Sequence, residues 1–175
     1  MEIGVDMEKT HILRRKGMII TQDSVISVLN SLIEICRDGE NGYRAAANRV
    51  QDMDLRSRLQ NHSREKSQFA SELRRELRGI GGDPEDSGRE FAALYHRGWI
   101  NEKPAELFGD DDEAILYECE RGEEEAKKAY EEALKRGLIG DTYFLVEQQY
   151  ARTKETQDRM KSMVATLENF LGREP

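Results

Sequence analysis

Three glutamates, one histidine and one glutamine are the residues whose types and spacing could do chemistry in this chain. On the helices that the hydrophobic pattern predicts, all of them fall near the middle of a helix: Glu40, Glu65, Glu123, His62 and Gln157. Burying several carboxylates costs several kcal/mol each unless a cation, a proton or strong hydrogen bonds compensate. A bound metal ion is one such compensation. The set is therefore a candidate metal site at mid-bundle.

The donor set differs from that of the di-iron carboxylate proteins, which use a Glu from each of two helices and a Glu-x-x-His from each of the others. Gln68 stands where the histidine after Glu65 would be, and His62 precedes Glu65 instead. Helix four offers no inward carboxylate. The set suits one hard or borderline ion, iron or another divalent metal, better than a redox-active pair. No catalytic residues are assigned, and the balance is against an enzyme.

A structural interpretation of the same residues stays open beside the metal site. The glutamates would then reach solvent or pair with Lys66 and Arg64, while His62, Gln149 and Gln157 share hydrogen bonds in the core. The substitution Glu123→Gln separates the two. It stabilises the metal-free protein if Glu123 is buried without a partner, and it abolishes metal-dependent stabilisation if Glu123 is a ligand.

Four amphipathic segments must position these residues. Their spacing predicts helices at about 24–50, 54–78, 110–136 and 142–171, with Asp23 as the N-cap of the first. The third has a thin inward stripe of small residues, and Glu123 lies only about 60° from its centre. Short connections make helices one and two, and helices three and four, antiparallel pairs.

The long segment at 80–109 between helices two and three is expected to cross over the bundle. Residues 90–100 within it contain the only tryptophan and predict a short extra helix. Residues 1–21 have no coherent period and are expected to form a flexible N-terminal extension, with Met1 and Met18 both open as the translation start. The fold class is thus all-α, a ferritin-like four-helix bundle with a long crossover over 22–172, and a plain up-down bundle is the alternative.

Composition limits the classes of partner. The chain has 175 residues, of which 35% are charged, and its net charge is −8. Nucleic acids and anionic membranes require clustered Lys and Arg, so neither is expected as a partner. We find no apolar run long enough for a membrane span and no signal-peptide pattern, which favours the cytoplasm. Cys36 and Cys119 are expected as buried thiols, and self-association through helix faces is a candidate mode of assembly.

Four runs of sequence carry a resemblance to a known family: LIEICRDGENGYRAAA, GGDPEDSG, LYHRGW and ECERGEEEAKKAYEEAL. They are similar to an uncharacterised bacterial family of ferritin-like four-helix-bundle proteins, a domain of unknown function. The resemblance covers residues 24–136 and extends more loosely into helix four. It implies a ferritin-like bundle in the bacterial cytoplasm and, by analogy with ferritins and rubrerythrins, metal binding.

Helix four departs from what that analogy requires. Where an Ala-His-Asp-Arg type of segment is expected, this chain has Thr156-Gln157-Asp158-Arg159, so a nitrogen ligand of a ferroxidase centre is missing. The alternative function is a metal-free helical interaction or structural module in bacterial stress physiology.

Overall fold

Four long helices form the body of the protein. The computed structural model describes the backbone of residues 13–15, 18–84 and 111–171, with side chains at 21–84 and 111–166. The helices are α1 (Gln22–Arg49), α2 (Met53–Gly79), α3 (Asp112–Lys135) and α4 (Gly140–Leu171). The predicted all-α four-helix bundle is confirmed. None of the described helices combines the length and apolarity needed to cross a membrane.

A short antiparallel hairpin precedes α1. Strands β1 (Leu13–Arg15) and β2 (Met18–Ile20) pair with Leu13 opposite Ile20. These strands lie within the segment expected to be an irregular extension, of which residues 1–12 and 16–17 are outside the described residues.

Polar side chains and glycines define the ends of the helices. Thr21 accepts the backbone N–H of Ser24 at 3.2 Å, so α1 is capped two residues before Asp23. Asp52 and Asp111 cap α2 and α3 in the same way. Gly137 follows α3 with φ at 79°, a left-handed conformation that glycine adopts without steric cost.

Contacts at the two ends of the bundle fix the directions of the helices. Asp112, the first residue of α3, accepts the backbone N–H groups of Gln51 and Asp52 at 2.8 Å each. Thus α3 begins where α1 turns into α2. At the opposite end, the hydroxyl of Thr142 donates to Glu76 at 2.5 Å, which places the start of α4 beside the end of α2.

These positions make α2 and α3 parallel, whereas α1 and α4 run the other way. The connection from Pro84 to Asp111 therefore joins opposite ends of the bundle. Nearly all of the predicted crossover at 80–109, including the extra helix predicted at 90–100, lies outside the described residues.

The core consists of two apolar clusters separated along the bundle axis. The cluster near the start of α1 includes Leu29, Leu32, Leu73, Leu77, Tyr130, Leu138 and Val146. The cluster near the end of α1 includes Ala46, Val50, Leu55, Leu59, Ile115, Leu116 and Met160. On each helix a short stretch lies between the two clusters, and polar side chains occupy it.

Candidate functional site

An ion pair is buried between the two apolar clusters. The Nζ atom of Lys66 on α2 lies 2.5 Å from Oε1 of Glu123 on α3, and the two side chains are 3% and 0% exposed. Helices α1 and α4 each pack against both α2 and α3, so the pair spans the diagonal of the bundle. A pair in such a position is desolvated, and its attraction is weakly screened.

The other two helices contribute one polar group each. The hydroxyl of Tyr43 on α1 donates to Oε2 of Glu123 at 2.9 Å. The Lys66 ammonium also donates to the hydroxyl of Thr153 on α4 at 3.4 Å. We call Tyr43, Lys66, Glu123 and Thr153 the central polar layer. Each oxygen of the Glu123 carboxylate accepts a hydrogen bond within it, which compensates the burial of the charge.

Gly39 makes room for the lysine stem. A Cβ atom at this position would lie 3.3 Å from Cγ of Lys66, closer than ordinary van der Waals contact. On the other side, the Lys66 ammonium lies 5.8 Å from the centroid of the Phe69 ring, within the range of a cation–π interaction. The stem and the ammonium are thus both enclosed by packed groups.

A second buried hydrogen-bond network lies beside the layer. Tyr130 donates to Oε1 of Gln149 at 2.8 Å, and its hydroxyl is 3.2 Å from the Cys36 sulfur. The amide of Gln149 donates in turn to the Glu72 carboxylate at 2.9 Å. This network links α1, α2, α3 and α4 through side chains of complementary donor and acceptor character.

Burial keeps the hydroxyls and thiols of this region protonated. It raises the pKa of Tyr43 well above its usual range, and the neighbouring Glu123 carboxylate raises it further. Burial raises the pKa of the Cys36 thiol to about 11, and it also raises the pKa of Cys119. Tyrosinate and thiolate forms are therefore suppressed at neutral pH, so these groups act as donors and not as nucleophiles.

Two of the predicted site residues lie together on the flank of α2. Glu65 forms an ion pair with Arg152 of α4 at 2.7 Å, and Nδ1 of His62 lies 3.8 Å from the other carboxylate oxygen. The nearby His62 imidazole and the interactions with Arg152 lower the pKa of Glu65 to about 2. The His62 ring packs on Tyr43, with the ring centroids 5.3 Å apart.

The remaining predicted residues lie with other partners. The Glu40 side chain is 28% exposed and lies 3.6 Å from the guanidinium of Arg44. Gln157 is buried, and its amide donates to Glu124 at 2.8 Å and to Glu120 at 3.3 Å. Within residues 21–84 and 111–166, no group of three or more His, Cys, Asp or Glu side chains is arranged to hold a metal ion.

The charges of the layer do not fit a divalent ion beside Glu123. Lys66 and Glu123 are the buried charged side chains of the described chain, and their charges cancel. A divalent ion added to this layer would bring two positive charges with no buried anion to balance them. The Lys66 ammonium also donates a hydrogen bond to the Glu123 carboxylate oxygen that a metal ion would need as a ligand.

Sequence reasoning treated Lys66 only as a generic partner for the glutamates and did not place it in the core. A signal was present: Lys66 stands seven residues after Leu59 and seven before Leu73, both of which are buried on the same face of α2. A lysine in phase with an apolar stripe requires an anion on a facing helix. Tyr43 and Thr153 are the other members of the layer that the predicted metal site does not include.

A solvent-open groove of about 570 Å³ lies between α2 and the second half of α4. Both positive and negative side chains line it, including Arg58, Arg159, Glu155 and Asp158. His62 is also part of its lining, and the ring contact with Tyr43 connects this groove to the central polar layer.

The fold and the site define the class: an all-α four-helix bundle with an internal charge pair. A family model described as a domain of unknown function, DUF2383, matches residues 24–136, which is more than half of the chain. The chain belongs to this family. No curated protein matches the chain.

Proposed function

We propose that this protein is a ferritin-like bundle that works as a metal-free structural or interaction module rather than as a metal-dependent enzyme. One observation carries the proposal: the mid-bundle carboxylate of Glu123 is already neutralised by Lys66, 2.5 Å away. A metal ligand needs a carboxylate oxygen whose lone pair is open to the cation. Here one carboxylate oxygen of Glu123 accepts a hydrogen bond from the Lys66 ammonium, and the other accepts one from the hydroxyl of Tyr43.

The direction of the helices supports the ferritin-like part of the proposal. A bundle with one long crossover has parallel second and third helices, since the crossover returns the chain to the end where helix two began. The contacts of Asp112 with Gln51 and Asp52 put the start of α3 at that end. The buried, unbridged thiols of Cys36 and Cys119 support the proposed cytoplasmic setting. The proposed bacterial origin rests on the sequence resemblance alone.

The proposed activity is recognition of a protein surface. The net charge of −8 disfavours nucleic acid, and two large apolar side chains, Met53 and Phe144, are 69% and 66% exposed. Both a second copy of the chain and an unrelated protein are candidate partners at these helix faces.

Metal binding through Glu40, Glu65, Glu123, His62 and Gln157, with iron or another divalent ion, stays a prediction of the sequence. The same experiment tests both functions. Untagged protein is analysed for metals, and its melting temperature is measured in EDTA and in added Fe(II), Mn(II) and Zn(II). We expect no stoichiometric metal and no change in melting temperature between EDTA and any of the ions.

The variants Glu123→Gln and Glu40→Gln sharpen this experiment. A stoichiometric metal, with a melting temperature that falls in EDTA and recovers with one ion, would overturn the metal-free proposal. If that metal were lost in Glu123→Gln but kept in Glu40→Gln, its site would include the central polar layer.

A further inference from the structure

The central polar layer contains one position for a positive charge, at Nζ of Lys66. We infer that this position is a binding site for a singly charged cation, filled by the protein's own lysine, and that it takes an ammonium or alkali ion when the lysine charge is removed. This inference rests on the proposed metal-free state of the bundle and names the ligand class that its central layer accepts.

The groups around the position are those that a compact monovalent cation needs. Nζ lies 2.5 Å from the Glu123 carboxylate and 3.4 Å from the Thr153 hydroxyl. The face of the Phe69 ring closes a third side, 5.8 Å away at its centroid. Oxygen donors and an aromatic face attract ammonium and alkali ions, and the burial of the layer excludes competing water.

The charge of the layer selects monovalent over divalent ions. Tyr43 stays protonated, because its burial and the Glu123 carboxylate both raise its pKa. Without the lysine charge, the layer therefore carries only the single negative charge of Glu123. One monovalent cation restores neutrality, whereas a divalent ion leaves a positive charge in a desolvated position.

The substitution Lys66→Ala removes both the ammonium and the stem of the side chain. It opens the space beside Gly39, where the stem of Lys66 packs. The volume next to Glu123 and Thr153 is then left for an ion of the size of ammonium. Ammonium matches the lysine head group, whereas tetramethylammonium is too large for the same volume.

The test compares the full-length Lys66→Ala variant in ammonium chloride, potassium chloride and tetramethylammonium chloride at equal ionic strength and pH 8. We expect ammonium or potassium to raise its melting temperature by several degrees, in a saturable manner, relative to tetramethylammonium. The wild type should show no such difference, because the lysine fills the site. The double variant Lys66→Ala with Glu123→Gln should show none either, because it lacks the anion.

Equal melting of Lys66→Ala in ammonium, potassium and tetramethylammonium would overturn the inference, while the metal-free proposal would stand. Stabilisation of the wild type by Mn(II) that disappears in Glu123→Gln would instead overturn the metal-free proposal. If Lys66→Ala is unfolded in dilute buffer, recovery of its helical circular dichroism is measured in the same three salts. Recovery in ammonium or potassium alone supports the inference, and any other pattern contradicts it.

Discussion

Lys66 and Glu123 lie 2.5 Å apart at Nζ and Oε1, on helices that face each other across the diagonal of the bundle. Because α1–α2 and α3–α4 are the two antiparallel helix pairs, this ion pair connects one helix pair to the other. Removing one partner of a buried ion pair and removing both have different effects on the free energy of unfolding. Losing one partner leaves an uncompensated charge, whereas replacing both by apolar groups of similar volume is often neutral or stabilising.

We expect Glu123→Gln to lower the free energy of unfolding by about 3–5 kcal/mol, because Lys66 is then buried without an anion. This is the opposite of the stabilisation predicted for a carboxylate without a partner. Urea denaturation followed by circular dichroism measures the change. Glu40→Gln is the matched control, since Glu40 is 28% exposed, and a change within about 0.5 kcal/mol is expected there. A variant of Glu123 as stable as the wild type would refute the account of the pair.

Replacing both partners, Lys66→Met with Glu123→Leu, should recover most of the loss caused by Glu123→Leu alone. The two apolar side chains then meet between the clusters, and no charge is buried. We expect a coupling energy of about 3 kcal/mol, the upper end of the range for residues in contact, from a double-mutant cycle measured by urea denaturation. Additive effects of the two single substitutions would show that Lys66 and Glu123 do not interact in solution.

The four helices can be predicted from the sequence alone because the patterns that indicate them are local. Inward residues recur with helical spacing, and turns such as that at Gly137 interrupt the pattern. The inward orientation of Glu123 could also be derived, since it lies only about 60° from a stripe of small residues, against which a partner helix packs closely enough to cover the carboxylate. The cap of α1 was misassigned because Thr21 and Asp23 are both good N-cap residues, and the choice depends on how the chain enters the helix.

The partners of the glutamates could not be derived in the same way. Lys66 reaches Glu123, and Arg152 reaches Glu65, only because α2 has a particular register and rotation against α3 and α4. Those quantities arise from the packing of residues that are 57 and 87 positions apart in sequence. The helical period places a side chain on a face, but it does not say which residue of a distant helix lies opposite.

The ion pair of Glu65 should appear in the acid limb of the stability profile. Its pKa is about 2 in the folded protein, lowered from 4.5 by His62 and Arg152. A carboxyl whose pKa falls on folding stabilises the fold above its unfolded pKa, and this stabilisation is lost as pH decreases through the folded pKa. We therefore expect stability to fall between about pH 5 and 2, and Glu65→Gln to flatten that fall. Urea denaturation across this range measures it, with Glu40→Gln as the control, and parallel profiles for Glu65→Gln and the wild type would contradict the assignment.

The Tyr43 hydroxyl should stabilise the fold more than a hydrogen bond between two neutral groups does, because its acceptor is the buried Glu123 carboxylate at 2.9 Å. Hydrogen bonds to charged groups contribute about 1.5–3 kcal/mol, and Tyr43→Phe should cost an amount in this range. Tyr150→Phe is the matched control: its hydroxyl also donates to a carboxylate, that of Glu131, but at a partly buried position. We expect a smaller loss there, and equal losses for the two variants would mean that burial of Glu123 does not strengthen its hydrogen bond.

The thiols report how often the bundle opens. Cys36 and Cys119 are buried, and burial raises the pKa of Cys36 to about 11, so both should react slowly with Ellman's reagent at pH 8 in the native protein and fully in urea. When opening is fast relative to the reaction, labelling follows the population of the open form. A loss of about 3–5 kcal/mol in Glu123→Gln then accelerates labelling by roughly 10² to 4 × 10³-fold where exposure of the thiols requires global unfolding, since each 1.4 kcal/mol is tenfold. Labelling that is fast in the wild type, or unchanged in Glu123→Gln despite its lower stability, would show that the thiols become exposed by a local motion that leaves the central polar layer intact.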